Sequence, residues 1–138
     1  MTYAGDVTPE QAYQAISDDP NAVLVDVRTK PELAYVGTAD LSPLGKRVIA
    51  IEWQQFPTGE QNPNFVEELR AYGIGNDQAV YFLCRSGARS RFAAVTATSA
   101  GFERAHNIAD GFEGPPNPQG QRGTQAGWKA ADLPWRQS

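Results

Sequence analysis

The 138-residue chain is 41% apolar, enough for one core of ordinary domain size. Its net charge of −4 and pI near 4.9 exclude the basic face that nucleic-acid binding needs. One cysteine and one histidine exclude an internal disulfide and a zinc site of the usual kind, and no apolar run approaches the roughly 18 residues of a membrane span.

The first six residues have neither the basic nor the apolar region of a secretory signal, so a cytoplasmic protein is expected. Thr8 opens the first predicted helix as N-cap, with Pro9 at the first helical position and Gln11 closing a capping box. Ala12, Tyr13 and Ile16 share one face of it. Residues 22–27 form a near-continuous apolar run, the pattern of a strand buried on both faces. A short helix follows from Pro31, and residues 47–51 are a second strand. Asn62 and Pro63 cap a helix that carries Phe65, Val66 and Leu69 on one side and stops near Gly73. Residues 79–83 are a third buried strand, with Cys84 at its C-terminal end. A polar turn leads into a helix whose apolar positions are Phe92, Ala93, Ala94, Val95 and Ala97, ending at Gly101. Residues 104–108 are the last predicted strand. Residues 114–127, rich in Pro, Gly, Asn and Gln, are expected to be a flexible loop, and Trp128 to Trp135 a terminal helical turn. This alternation predicts one α/β domain over residues 1–138, its core spanning about 7–134, around a parallel sheet.

The chemistry concentrates in Cys84, Arg85, Ser86, Gly87, Ala88, Arg89 and Ser90. In parallel α/β sheets ligands bind off the carboxyl ends of the strands. A turn rising from there into a helix aims several backbone N–H groups at one centre, and the helix dipole adds positive potential. Such a nest stabilises a thiolate, and Arg85 and Arg89 act in the same direction. The bland alternative, a buried structural cysteine, loses ground to the Arg-Ser-Gly-x-Arg-Ser that follows. Ser90 either hydrogen-bonds the sulfur or caps the helix. Asp26 and Arg28 read as a polar cluster under the loop rather than substrate ligands. His106 reads as a strand residue rather than a base for Cys84, and Trp53 as a packing residue. Gly45-Lys46 lacks the earlier glycine of a phosphate-binding loop.

Cys84 to Ser90 resembles the active-site loop of single-domain rhodaneses, C-R-S-G-x-R-S. Val25-Asp26-Val27-Arg28 is similar to that family's D-V-R, and Glu32 to the acidic residue after it. Residues 107–112 resemble N-[LV]-x-G-G-[FW], and residues 128–134 resemble W-x-x-A-G-L-P. Two features depart from the family: residues 37–42 lack its G-H-I-P-G-A, and the stretch 114–126 is longer. The resemblance implies a mostly parallel five-stranded sheet with helices on both faces. It implies sulfur transfer from a small anionic donor such as thiosulfate, through a Cys84 persulfide, to cyanide or a thiol. Arg85, Ser86, Gly87, Ala88, Arg89 and Ser90 would line the site, with Asp26 and Arg28 in support. No cofactor or metal is implied, and a monomer is expected. A carrier handing sulfur to a partner protein is a variant of this reading. A Cys-dependent phosphatase needs five residues between Cys and Arg, whereas four separate Cys84 from Arg89. Non-catalytic rhodanese-like modules commonly lack the cysteine. Arg122, the lone cation of its loop, is either part of a flap that draws in anionic donors or a solvated residue with no role.

Overall fold

The computed structural model describes residues 2–137. Five strands, β1 (Gly5–Val7), β2 (Val23–Asp26), β4 (Ile49–Ala50), β5 (Ala79–Leu83) and β6 (Arg104–Ile108), form one sheet in the order β1-β6-β5-β2-β4. Every pairing in it is parallel, as short strands joined by helical crossovers demand. The central strand β5 is buried along its whole length, which is why it reads as a continuous apolar run.

The alternation along β5 divides the core. Val80 and Phe82 face α3 (Phe65–Ala71) and α4 (Ala88–Ser99), which contribute Phe65, Leu69, Ala93, Ala94 and Ala97. Ala79, Tyr81 and Leu83 face the other layer, with Ala12 and Ile16 of α1 (Pro9–Asp18), Phe112 and Trp128. Val36 of α2 (Lys30–Val36) packs against that second layer. The capping box of α1 forms as the sequence predicts: Gln11 N donates to Thr8 Oγ1 at 3.1 Å and Thr8 N to Gln11 Oε1 at 2.9 Å.

Several local expectations need correction. The strand expected over 47–51 pairs only at Ile49–Ala50, on the sheet edge. The third helix begins at Phe65 with Asn64 as N-cap, and Asn62 instead takes the Asn64 N–H on its Oδ1. Phe92 is exposed, so the buried stripe of α4 is Ser90, Ala93, Ala94 and Ala97. Trp128 to Trp135 is not a helical turn followed by an end: Asp132 adopts a left-handed conformation that stops the turn. The chain then enters β7 (Trp135–Arg136), antiparallel to β3 (Thr38–Ala39). Trp128 is fully buried and its Nε1 donates to Pro134 O at 2.7 Å, which folds the tail back.

The loop after β6 carries its own hydrogen bonds. Asn117 Oδ1 accepts from Gln119 N and Gln121 N, its Nδ2 donates to Thr124 Oγ1, and Gly123 N donates to Glu113 O. Among the described residues no helix is long and apolar enough to cross a membrane.

Candidate active site

β2 and β5 end together: Asp26 lies opposite Leu83 in the parallel register. Cys84 therefore leaves the sheet at its carboxyl edge, next to the end of β2, and is buried there. The turn to α4 closes through Gly87, which takes φ of +106° as the helix N-cap, a conformation that favours glycine. Its N–H donates to Cys84 Sγ at 3.1 Å. A backbone donor and the start of a twelve-residue helix thus converge on the sulfur, an arrangement that favours negative charge there. Ser90 Oγ lies 3.2 Å from Sγ, so of its two expected roles the sulfur contact is the one the structure shows, and Gly87 holds the cap position.

Three supports fix the loop. After β6, the turn through Asp110 and Gly111 clamps the loop backbone: Phe112 N donates to Cys84 O at 2.8 Å and Glu113 N to Arg85 O at 3.0 Å. Gly111 has φ of +62°, and a Cβ there would stand 2.4 Å from Cys84 O. This close approach explains glycine at 111 better than any turn preference. From α2, Glu32 grips Arg89 with two hydrogen bonds of 2.7 and 2.8 Å. Burial pushes the Glu32 carboxyl up, but the bonds from Arg89 and Thr29 outweigh it and hold its pKa down to about 2. From β2, Arg28 binds Asp26 through Nε and Nη2, donates to Gly37 O at 2.8 Å, and stacks its guanidinium 4.4 Å from the Phe112 ring. Both Asp26 and Arg28 are fully buried, which matches the polar cluster expected under the loop.

The structure brings Cys84, Gly87 and Ser90 into contact, and ties Arg89 to Glu32 while its charge still acts on Cys84. Arg85, Ser86 and Ala88 are exposed on the loop. His106 is in register with Tyr81 and stacks on that ring at 4.7 Å, and burial lowers its pKa; no contact links it to the thiol. Trp53 packs edge-on against Phe65 in the core. Arg122 is turned inward, its Nη1 donating to Gly114 O at 2.6 Å. Lys46 gives Nζ to the carbonyls of Ile16, Asp19 and Ala22, an anchor for a loop and not a phosphate ligand. A cavity of about 500 Å³ lies between Asp26, Leu33, Asp40, Arg47 and Arg136, apart from residues 84–90. Sequence reading missed the Arg89–Glu32 clip and the partners of Asn107. The Thr29-x-x-Glu32 capping box was the available signal for the first, because it places the carboxylate at a helix start facing the sheet's carboxyl edge.

A cysteine cradled between a parallel strand and a helix, with the D-V-R pair beneath it, defines a rhodanese-like domain. The family described as STR4 middle domain matches residues 4–138, and the chain belongs to it. A solved structure, Rv0390 from M. tuberculosis, superposes with a TM-score of 0.90 at 50% identity, covering 99% of this chain and all of that one. An uncharacterized protein of Rickettsia conorii, RC0915, is 37% identical, covering 91% of this chain and 92% of its own. The chloroplastic rhodanese-like domain-containing protein 4 of Arabidopsis thaliana is 28% identical over 91% of this chain, which spans 24% of that protein. A protein of Allochromatium vinosum named sulfurtransferase is 27% identical over 78% of this chain and 83% of its own. The names of the last two relatives support sulfur transfer at the level of the family.

Proposed function

We propose that this chain moves sulfane sulfur from a small anionic donor such as thiosulfate to a nucleophilic acceptor through a persulfide on Cys84. The observation that carries the reading is the Gly87 N–H on Cys84 Sγ at the start of α4, at the carboxyl edge of the sheet. In the first half-reaction the thiolate attacks the outer sulfur of thiosulfate. A Cys84 S–S bond forms, the donor's S–S bond breaks, and sulfite leaves with its electron pair. In the second, cyanide or a thiolate attacks the outer sulfur, and the electron pair of the Cys84 S–S bond returns to the cysteine. Thiocyanate or an acceptor persulfide departs. Charge is retained throughout, so no oxidant is needed, and the two half-reactions predict ping-pong kinetics. The Gly87 N–H and the start of α4 supply preorganised positive potential for the persulfide's charge.

The loop is one residue shorter than that of Cys-dependent phosphatases, with four residues between Cys84 and Arg89. Wild type should therefore turn over thiosulfate with cyanide and leave p-nitrophenyl phosphate untouched. Phosphatase turnover that disappears in Cys84→Ser would overturn the assignment.

A further inference from the structure

Behind the sulfur runs a chain of contacts that the transfer reaction alone does not use. Ser90 Oγ touches Cys84 Sγ at 3.2 Å and Asn107 Oδ1 at 2.5 Å. Asn107 Nδ2 donates to Asp6 Oδ1 at 3.0 Å, and the same oxygen accepts the Tyr3 hydroxyl at 2.7 Å. The sheet builds this line, because β1 and β6 pair with Asp6 opposite Asn107. Ser90 and Asn107 are buried, so their hydrogens cannot be shared with bulk water.

Counting hydrogens fixes the direction of each bond. An ionised carboxylate only accepts, so Asp6 compels Asn107 to turn its amide N–H₂ outward and its Oδ1 inward. The hydrogen bond from Tyr3 to Asp6 pushes the phenol's pKa up, which keeps it a donor at neutral pH. Oδ1 has no hydrogen, and the serine hydroxyl has one. That hydrogen therefore goes to Asn107, and Ser90 presents a lone pair to the sulfur. A lone pair is compatible with an S–H donor or with the neutral inner sulfur of a persulfide. It opposes a thiolate.

We propose that Asp6 and Asn107 are positioning residues that hold the Ser90 hydroxyl away from Cys84, so that the sulfur next to Cβ is favoured when it carries no charge. Resting on the persulfide reading above, the consequence is a division of labour. The Gly87 N–H and the start of α4 favour negative charge at the site, while the Asp6–Asn107–Ser90 line works against that charge on the sulfur next to Cβ. Loading is thereby favoured over the bare thiolate. The strand β1, remote in sequence, sets this bias.

Asn107→Leu is close in shape and changes no charge. It frees the Ser90 hydroxyl to donate to Sγ, already within 3.2 Å, so the thiolate gains a hydrogen bond. The pH midpoint of iodoacetamide alkylation should fall by about half a unit, which is about threefold in rate below the midpoint. Other charges around the thiol, Arg85, Arg89 with Glu32, Asp26 with Arg28, Asp110 and Lys129, are the same in both proteins and cancel in the comparison. In a Ser90→Ala background the same substitution should move nothing, since the effect runs through the hydroxyl. Asp6→Ala, at an exposed edge position, is the second variant: it removes the oxygen that dictates the Asn107 amide. It should shift the midpoint in the same direction at about 0.05 M and about 0.5 M salt, whereas loss of a distant charge would be screened at the higher. An unchanged midpoint in both variants, an equal shift without Ser90, or a shift abolished by salt would overturn the proposal. Alkylation reads the network whether or not thiosulfate loads the cysteine. Failure of loading would sink the persulfide reading alone.

Discussion

At the residue scale the site depends on how closely two backbone segments approach. Gly111 lies against Cys84 O and Arg85, and an added methyl would meet both at about 2.4 to 2.6 Å in a conformation that L residues seldom adopt. Gly111→Ala must therefore push the turn off the loop, at a cost of about 2 kcal/mol or more. The melting temperature should fall by several degrees and kcat/KM for thiosulfate should fall with it, because the loop N–H groups lose their aim. Wild-type stability and kinetics in that variant would show that the clamp does not position the loop. The sequence disclosed the residues of this site but not their directions. Cys84, Gly87 and Ser90 stand within seven consecutive positions, so strand-to-helix geometry was enough to group them. Asp6 and Asn107 are separated by 101 positions, and only the β1–β6 register brings them together.

At the scale of elements, the loop that carries Cys84 is held by a helix that contributes no fully buried side chain of its own. α2 acts through Glu32, whose two bonds to Arg89 join residues 57 apart. With both side chains about three-quarters shielded, the clip should contribute about 2 kcal/mol at neutral pH. Its pH dependence follows from the carboxyl held at about 2, below its ordinary 4.5. A carboxyl depressed by folding stabilises the fold above its unfolded value, and that stability is lost as pH falls through the folded one. Glu32→Gln should thus melt lower than wild type at neutral pH, and the gap should close as the pH falls from about 4.5 to about 2. A gap that stays constant down to pH of about 2 would mean that the pair carries no charge-dependent stability. Long apolar runs and the Thr8 capping box were legible because their signal is local. β1, β3 and β7 were not, since strands of two or three residues carry no measurable period and exist only through distant partners.

Over the whole molecule, the chain's end completes the fold. Trp128 fills the second core layer between α1 and Phe112, meets the Tyr13 ring edge-on at 5.8 Å, and anchors Pro134 before β7 pairs with β3. Truncation there opens a large cavity, so Trp128→Ala should cost about 3 to 5 kcal/mol, read as a lower denaturant midpoint. A loss under about 1 kcal/mol would mean that the tail packs independently of the core. The aromatic residues near 128–135 were visible in the sequence, but their ending was misjudged as helical because a left-handed Asp132 leaves no compositional mark.

The central claim is that Cys84 carries sulfur, and intact-mass spectrometry after incubation with thiosulfate tests it directly. Wild type should gain the mass of one sulfur atom, lose it on addition of cyanide, and Cys84→Ser should gain nothing. An unmodified wild-type chain, under conditions where a known sulfurtransferase becomes loaded, would contradict the account.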